Sequence, residues 1–248
     1  MKAGVVAILV AFACAAAGQP ARAQLFPPSP PASIAPCMRQ MALTTVDGNP
    51  NAAILRIGYW TLPLAGDVRV YGHDVMWHAT LHNGATAVQP FRPRNALEAS
   101  VELHAPGPIE GVEFTPSGAS CTLHAGLRRP TMFDGEAVQR PIVVATDPAP
   151  VAPPSCANPY ASVRVVRAAE PVAPPMARQQ GIAGDVTVAL AVDRTGTVTY
   201  EQILSSPSVI LNAAGVNSAR TSKFSPAVFR CVPVDNGYVF AAAFVSGS

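Results

Sequence analysis

Two clusters of closely spaced prolines divide this chain before any other feature does. Pro27, Pro28, Pro30, Pro31 and Pro36 crowd one stretch, and Pro148, Pro150, Pro153, Pro154 and Pro159 crowd another. A proline ring fixes φ and removes the backbone donor, so such runs enter neither helix interiors nor central strands and read as extended tethers. The chain then parses into a leader (1–23), a Pro-rich tether (24–36), a body (37–140), a second Pro-rich linker (141–157) open to proteolysis, and a terminal segment (158–248). Hydrophobic residues make up 49% of the 248 residues, enough for the segments between the tethers to build cores.

The leader opens with Lys2, runs apolar over 3–18 and leaves through Ala21-Arg22-Ala23, the pattern of a secretory signal peptide with cleavage before Gln24. Its 16 apolar residues fall short of the ~20 a spanning helix needs, so membrane attachment is expected only if this segment stays uncleaved. Of the 17 basic residues, Lys2 and Arg22 leave with the leader, and the remaining 15 match the 15 acidic ones. A neutral body gives nucleic acid no electrostatic footing, and none is expected as partner.

Export implies an oxidising compartment, so the four cysteines left after loss of Cys14, namely Cys37, Cys121, Cys156 and Cys231, are expected in disulfides. Three connectivities are possible. The simplest puts one bridge in each half, Cys37 to Cys121 and Cys156 to Cys231.

Residues 37–140 carry short apolar runs (53–62, 68–81, 97–103, 112–114, 121–127) separated by Gly, Pro, Asn and Asp, the signature of a mainly antiparallel β module. Within the second run Val75, Trp77, Ala79 and Leu81 alternate with more polar neighbours, as on a half-buried strand. His78 and His82 have a helical metal-pair spacing. On a strand that spacing separates them by about 13 Å, too far for one ion. No metal or other cofactor is expected. Tyr59, Trp60 and Trp77 form a candidate ligand platform, although aromatics of this kind also serve as core. Ser120, beside Cys121, lacks the glycine pattern of a nucleophile elbow, and neither a phosphate loop nor an acid–base carboxylate pair is present. The chain is not expected to be an enzyme. A ligand-binding or metal-binding first module, or a catalytic one, remains the reading from a different functional class.

The terminal segment reads in order as a short helix over 175–180 stopped by Gly181, a strand over 185–192, a loop at Asp193-Arg194-Thr195-Gly196, a strand over 197–204, and a helix over 209–221. Ser208 caps that second helix, whose inner face is Leu211, Ala214, Ser218 and Ala219. A last strand follows at Tyr238-Val239-Phe240-Ala241-Ala242-Ala243-Phe244-Val245.

The ordered series Pro174-x-x-Ala177-Arg178-x-x-Gly181-Ile182-x-Gly184-x-Val186, Val192-Asp193-x-x-Gly196-x-Val198, Leu211-Asn212-x-Ala214, Lys223-Phe224-x-Pro226-Ala227 and Cys231-x-Pro233-Val234 resembles the TonB C-terminal domain. The resemblance covers only the last third of the chain. It implies an α+β domain with a three-stranded antiparallel sheet and two helices. It also implies a periplasmic or outer-membrane, receptor-like protein partner bound by strand addition, in TonB-dependent transport. The implied contact is the edge strand Tyr238, Val239, Phe240, Ala241, Ala242, Ala243, Phe244 and Val245, with Glu170 and Pro171 as a second candidate surface.

The chain departs from an anchored energy transducer in its histidine-free leader. It also has Glu170 where a Gln precedes the Pro, Ala173 in place of an aromatic, Gly215 inside the helix, and Ser222 where Trp is common. An exported periplasmic interaction protein is therefore the leading expectation, and an inner-membrane-anchored transducer is its alternative. Mass analysis of the exported protein should find an N-terminus at Gln24; a retained Met1 would restore the anchor.

Overall fold

In the computed structural model residues 38–58, 64–82, 87–91, 96–131 and 139–245 are described. The leader, the first tether, Cys37, Tyr59 and Trp60 lie outside them.

The first half folds as alternation in the sequence dictates. Val68 and Val70, then Trp77, Ala79 and Leu81, are buried, while Asp67, Arg69 and Thr80 between them are exposed. The run over 68–81 breaks at 72–74, so that it supplies two strands rather than one. The strands are β1 (Met41–Val46), β2 (Asn49–Gly58), β3 (Gly66–Tyr71), β4 (Val75–Leu81), β5 (Ala87–Phe91), β6 (Ala96–His104), β7 (Gly111–Pro116), β8 (Leu123–Arg128), β9 (Ile142–Val144) and β10 (Thr146–Pro150). The Asp47-Gly48 turn between β1 and β2 uses φ +73° at Gly48, a conformation that strains a side chain. Hydrogen-bonded order runs β10-β4-β3-β7-β8-β1-β2-β6-β5, with β9 also on β6. All pairs are antiparallel except β1 with β8 and β6 with β9. Leu43, Leu55, Ile57, Val101, Leu103, Phe114 and Leu123 are buried in the core.

Segment 141–157, expected as a linker, supplies two of these strands. β9 runs parallel to β6, and β10 runs antiparallel to β4. Between them Ala145 is buried and donates to His104 O at 2.8 Å. One proline-rich segment therefore bridges from β6 to β4, the two sides that the sheet order otherwise leaves apart. Its prolines fit because the ladder is interrupted: the register shifts between Thr146 and Ala149, with Asp147 at φ +54° and Pro148 inside the irregularity.

The second half comprises β11 (Tyr160–Ala161), β12 (Arg164–Arg167), α1 (Pro175–Gln179), β13 (Gly184–Val192), β14 (Val198–Ser205), α2 (Val209–Thr221), β15 (Lys223–Ser225), β16 (Ala227–Phe229), β17 (Val232–Val234) and β18 (Asn236–Phe244). Its main sheet is three-stranded and antiparallel, in the order β14-β13-β18. Two smaller sheets, β12-β15 and β11-β16-β17, were not foreseen from the sequence. Ser208 caps α2 by accepting from Ile210 N at 3.3 Å. Leu211, Ser218 and Ala219 are buried on its inner face, joined there by Gly215, whose missing side chain admits Val186 of β13: a Cβ would lie 2.6 Å from the valine Cγ1.

The two halves are not held apart, since their described residues belong to one compact unit. Tyr160 packs on the first half where Gly111 and Gly126 leave room; a Cβ on Gly126 would sit 2.3 Å from the tyrosine Cβ. Phe229 then meets Tyr71, Tyr160 and His124 with ring centroids 5.2–5.3 Å apart. Beneath these rings Tyr71 donates to Glu113 Oε2 at 2.8 Å, and Glu113 Oε1 stands 3.7 Å from His124 Nε2. Burial, then this hydrogen bond, pushes the Tyr71 hydroxyl up to about 12. Burial holds the His124 imidazole below its ordinary value against the upward pull of Glu113 and Asp235.

Two expectations follow from this seam. Gly126→Ala should cost about 1–3 kcal/mol in urea unfolding by overpacking, and Tyr160→Ala should cost less in that background than in the wild type. The second concerns pH. The unfolded chain takes up the His124 proton near 6.5 and the folded chain only at lower pH, so this contribution to stability is present above 6.5 and is lost as pH falls through the lowered folded value. His124→Gln should therefore flatten the fall of Tm between pH 7 and 5.

Candidate functional site

β18 is a terminal strand of its sheet. Nine residues pair with β13 in unbroken register, from Gly184 opposite Phe244 to Val192 opposite Asn236. Among the described residues no strand pairs on its other side. In such an edge strand alternate backbone N–H and C=O groups point away from the sheet, which is what an added strand requires. The side chains divide by the period of two. Phe240, Ala242 and Phe244 are buried on the α2 side, with Phe224 edge-on to both Tyr238 and Phe240, whereas Ala241, Ala243 and Val245 are exposed on the opposite face.

The two ends of this strand have different surroundings. At its start Asn236 donates from Nδ2 to His124 O at 3.0 Å, and Gly237 passes so close to the first half that a Cβ would lie 2.3 Å from Arg39 O. Met38 packs on the face opposite α2 against Ala189, Ala191, Leu204 and Val239. Val239 is half-buried in these contacts, and Tyr238 is half-buried on the α2 side against Phe224. Of the eight residues expected to form the contact strand, the stretch 241–245 therefore combines a small-residue exposed face with distance from the first half. Val245 itself follows the last strand residue, Phe244.

Glu170 and Pro171 belong to a different element. They follow Ala169, whose N–H donates to Ser222 Oγ at 3.0 Å and whose carbonyl accepts from Ser218 Oγ at 2.7 Å. Both serines are at the C-terminal end of α2 and both are buried, so this helix end anchors the entry segment. Glu170 remains exposed. The contacts here are to α2, with none to β18 among the described hydrogen bonds.

Cys156 and Cys231 are joined by a disulfide across 75 residues, with Cα atoms 5.8 Å apart. Cys121 is also disulfide-bonded, and Cys37, its expected partner, lies outside the described residues. Trp77 is core rather than platform, at 5% exposure. His73, His78 and His104 each stand beside one carboxylate, Glu110, Asp67 and Glu102 respectively. Among the described residues no group of three or more potential metal ligands converges.

The loop between β13 and β14 is fixed by Asp193, whose Oδ1 accepts from Thr195 N at 2.8 Å, Thr197 N at 2.9 Å and the Thr195 hydroxyl at 2.6 Å. These donors hold its carboxyl below the usual range, the Thr195 side chain first among them. Gly196 is obligatory in that loop, at φ +84° with a Cβ position 2.3 Å from Phe224 O. Sequence reasoning found this loop and the edge strand. It missed the Phe229-Arg230 seam, for which the only available signal was an aromatic beside a charge at a cysteine.

No helix among the described residues is long and apolar enough to cross a membrane. No curated protein matches the chain. Residues 169–245 match the family model of the Gram-negative bacterial TonB protein C-terminal, a span that begins at the serine-anchored Ala169 and ends with the edge strand. The last third of this chain is therefore similar to the TonB C-terminal domain, the family that its ordered motifs resemble.

Proposed function

We propose that this is an exported, periplasmic interaction protein that acts by binding rather than catalysis. Its TonB-like domain takes an extended segment of an outer-membrane or periplasmic protein as an added strand along β18, in TonB-dependent transport. The observation that carries the reading is the terminal position of β18 in an unbroken ladder with β13. The exposed face of this edge is made of Ala241, Ala243 and Val245, with no charge and no proline over 236–245 to blunt it, as edges that avoid partners usually have. Affinity in this mode comes from main-chain hydrogen bonds, and side chains contribute mainly selectivity.

Proline substitution tests this directly, because it removes a backbone donor without adding charge. Of Val239→Pro, Ala241→Pro and Ala243→Pro, the variants that stay folded by circular dichroism should lose about tenfold or more in partner recovery from envelope extract, with the mature chain as bait. Loss of one ladder hydrogen bond and the ring's bulk at the edge together set that scale. Ala241→Ser and Ala243→Ser should bind nearly as the wild type does. Folded proline variants that retain the partner would sink strand addition and shift attention to Glu170 and Pro171.

A further inference from the structure

The hairpin between β16 and β17 has a two-residue loop, Arg230-Cys231, set by Phe229 pairing with Val232. Both loop residues have positive φ, +49° and +71°. A hairpin of this kind demands left-handed backbone at both central positions, which is why Asn-Gly dominates there. An Arg-Cys pair does not choose that conformation unaided. It persists where the surroundings over-determine it.

Those surroundings come from both halves of the chain. Arg230 donates from Nη1 to Gly72 O at 3.0 Å and from Nη2 to His73 O at 3.2 Å, in the turn between β3 and β4, and also from Nη2 to Ala152 O. Its guanidinium stands 5.2 Å from the centroid of the Tyr71 ring. Phe229 before it fills the aromatic seam. Cys231 donates its N–H to Pro159 O at 3.1 Å and is tied covalently to Cys156, an exposed residue four positions beyond Ala152. The disulfide thus pins the loop to the segment that leaves the first half, where Arg230 also reaches the Ala152 carbonyl.

We propose that the Cys156–Cys231 disulfide is a redox latch on the docking of the TonB-like domain against the β module. The reductant is a dithiol of the thiol–disulfide exchange class. Its thiolate attacks one sulfur of the bridge, most openly that of the exposed Cys156, and the S–S bond breaks with Cys231 leaving as thiolate. The second thiol of the reductant then attacks the mixed disulfide and releases Cys156. Two electrons pass to the protein, its two cysteines take up two protons, and the reductant leaves as its own disulfide. Without the covalent tie the Arg-Cys loop relaxes toward negative φ, Arg230 withdraws from Gly72, His73 and Ala152, and the seam opens at this end. Both modules keep their own cores, since neither the first-half core nor the α2–β13–β18 core includes the bridge. This inference stands independently of what β18 binds.

Hydrogen exchange on the full mature chain tests it, comparing wild type with Cys156→Ser/Cys231→Ser, which leaves the Cys121 bridge in place. Amides in 156–161 and 229–231 should exchange at least tenfold faster in the variant, while those in 52–57, 99–103, 186–190 and 238–242 keep their wild-type rates. Arg230→Ala, with the disulfide intact, should accelerate the same two segments to a lesser degree. Dithiothreitol should bring wild type to the variant's pattern in 156–161 and 229–231, and oxidised glutathione should restore it. Unchanged exchange in the double variant would overturn the latch. Acceleration that spreads through 186–190 and 238–242 would also overturn it, by making the bridge a staple of the fold.

Discussion

The close approach of Tyr160 to β7 and β8 is the contact on which the rest of the arrangement depends. It exists because Gly111 and Gly126, directly opposite each other in the ladder, present no side chain on that face. With the tyrosine lying in the gap, β11 is held against the first half, and β16, its ladder partner, follows. Phe229 at the end of β16 then reaches Tyr71 and His124, and Arg230 reaches the β3–β4 turn. Two cores that share no residue are thereby made into one body. The seam joins aromatic rings and hydrogen bonds with the aliphatic contact of Met38 on Ala189 and Val239, a mixed composition expected of an interface within a chain more than of a domain interior.

The local structure of the terminal domain was legible because its signals agree with one another. Ser208 before an apolar run gave the start of α2, and strict alternation from Val186 to Val192 gave the central strand. The tertiary reasons for its departures from the family pattern were not legible. Gly215, read alone, is a helix-weakening residue, yet Val186 occupies the place of its side chain and brings α2 onto β13. Ser222, where Trp is common, accepts from Ala169 N and donates to the Ser218 carbonyl, so a small hydroxyl secures the entry segment to the helix end. Both substitutions are consequences of close packing that appears only when distant segments meet.

The second proline cluster is the instructive difference. Composition suggested an extended tether, and the segment is extended, but it is paired. A proline lacks only a donor, so a strand that needs few donors can hold several of them. β10 meets that condition through its register shift at Asp147 and Pro148, and Ala145, with an intact N–H, makes the bond to His104 O that binds the segment to β6. The sequence offers no periodicity here because the pairing is irregular. Only the otherwise unmatched sides of β4 and β6 reveal the need for it.

The same seam constrains what the edge strand can offer. Met38 covers the face of the sheet opposite α2, at Ala189 and Val239, and the Arg39 carbonyl lies over Gly237. A sheet of three strands exposed on one side would carry an apolar surface apt for unselective association; here Met38 packs on Ala189, Ala191, Leu204 and Val239 of that face. What remains is a ladder edge whose outward side chains are alanines toward its end. Small side chains there keep the main chain within reach of a second backbone 4.7–4.9 Å away and add little hydrophobic attraction of their own. Under the proposed strand addition, selectivity would come from the fit of the added segment's side chains against neighbouring features, of which Asp185, exposed and opposite Ala243 on the next strand, is the nearest charge in the β13–β18 ladder. A partner segment with a long basic side chain at the corresponding position would gain most from it.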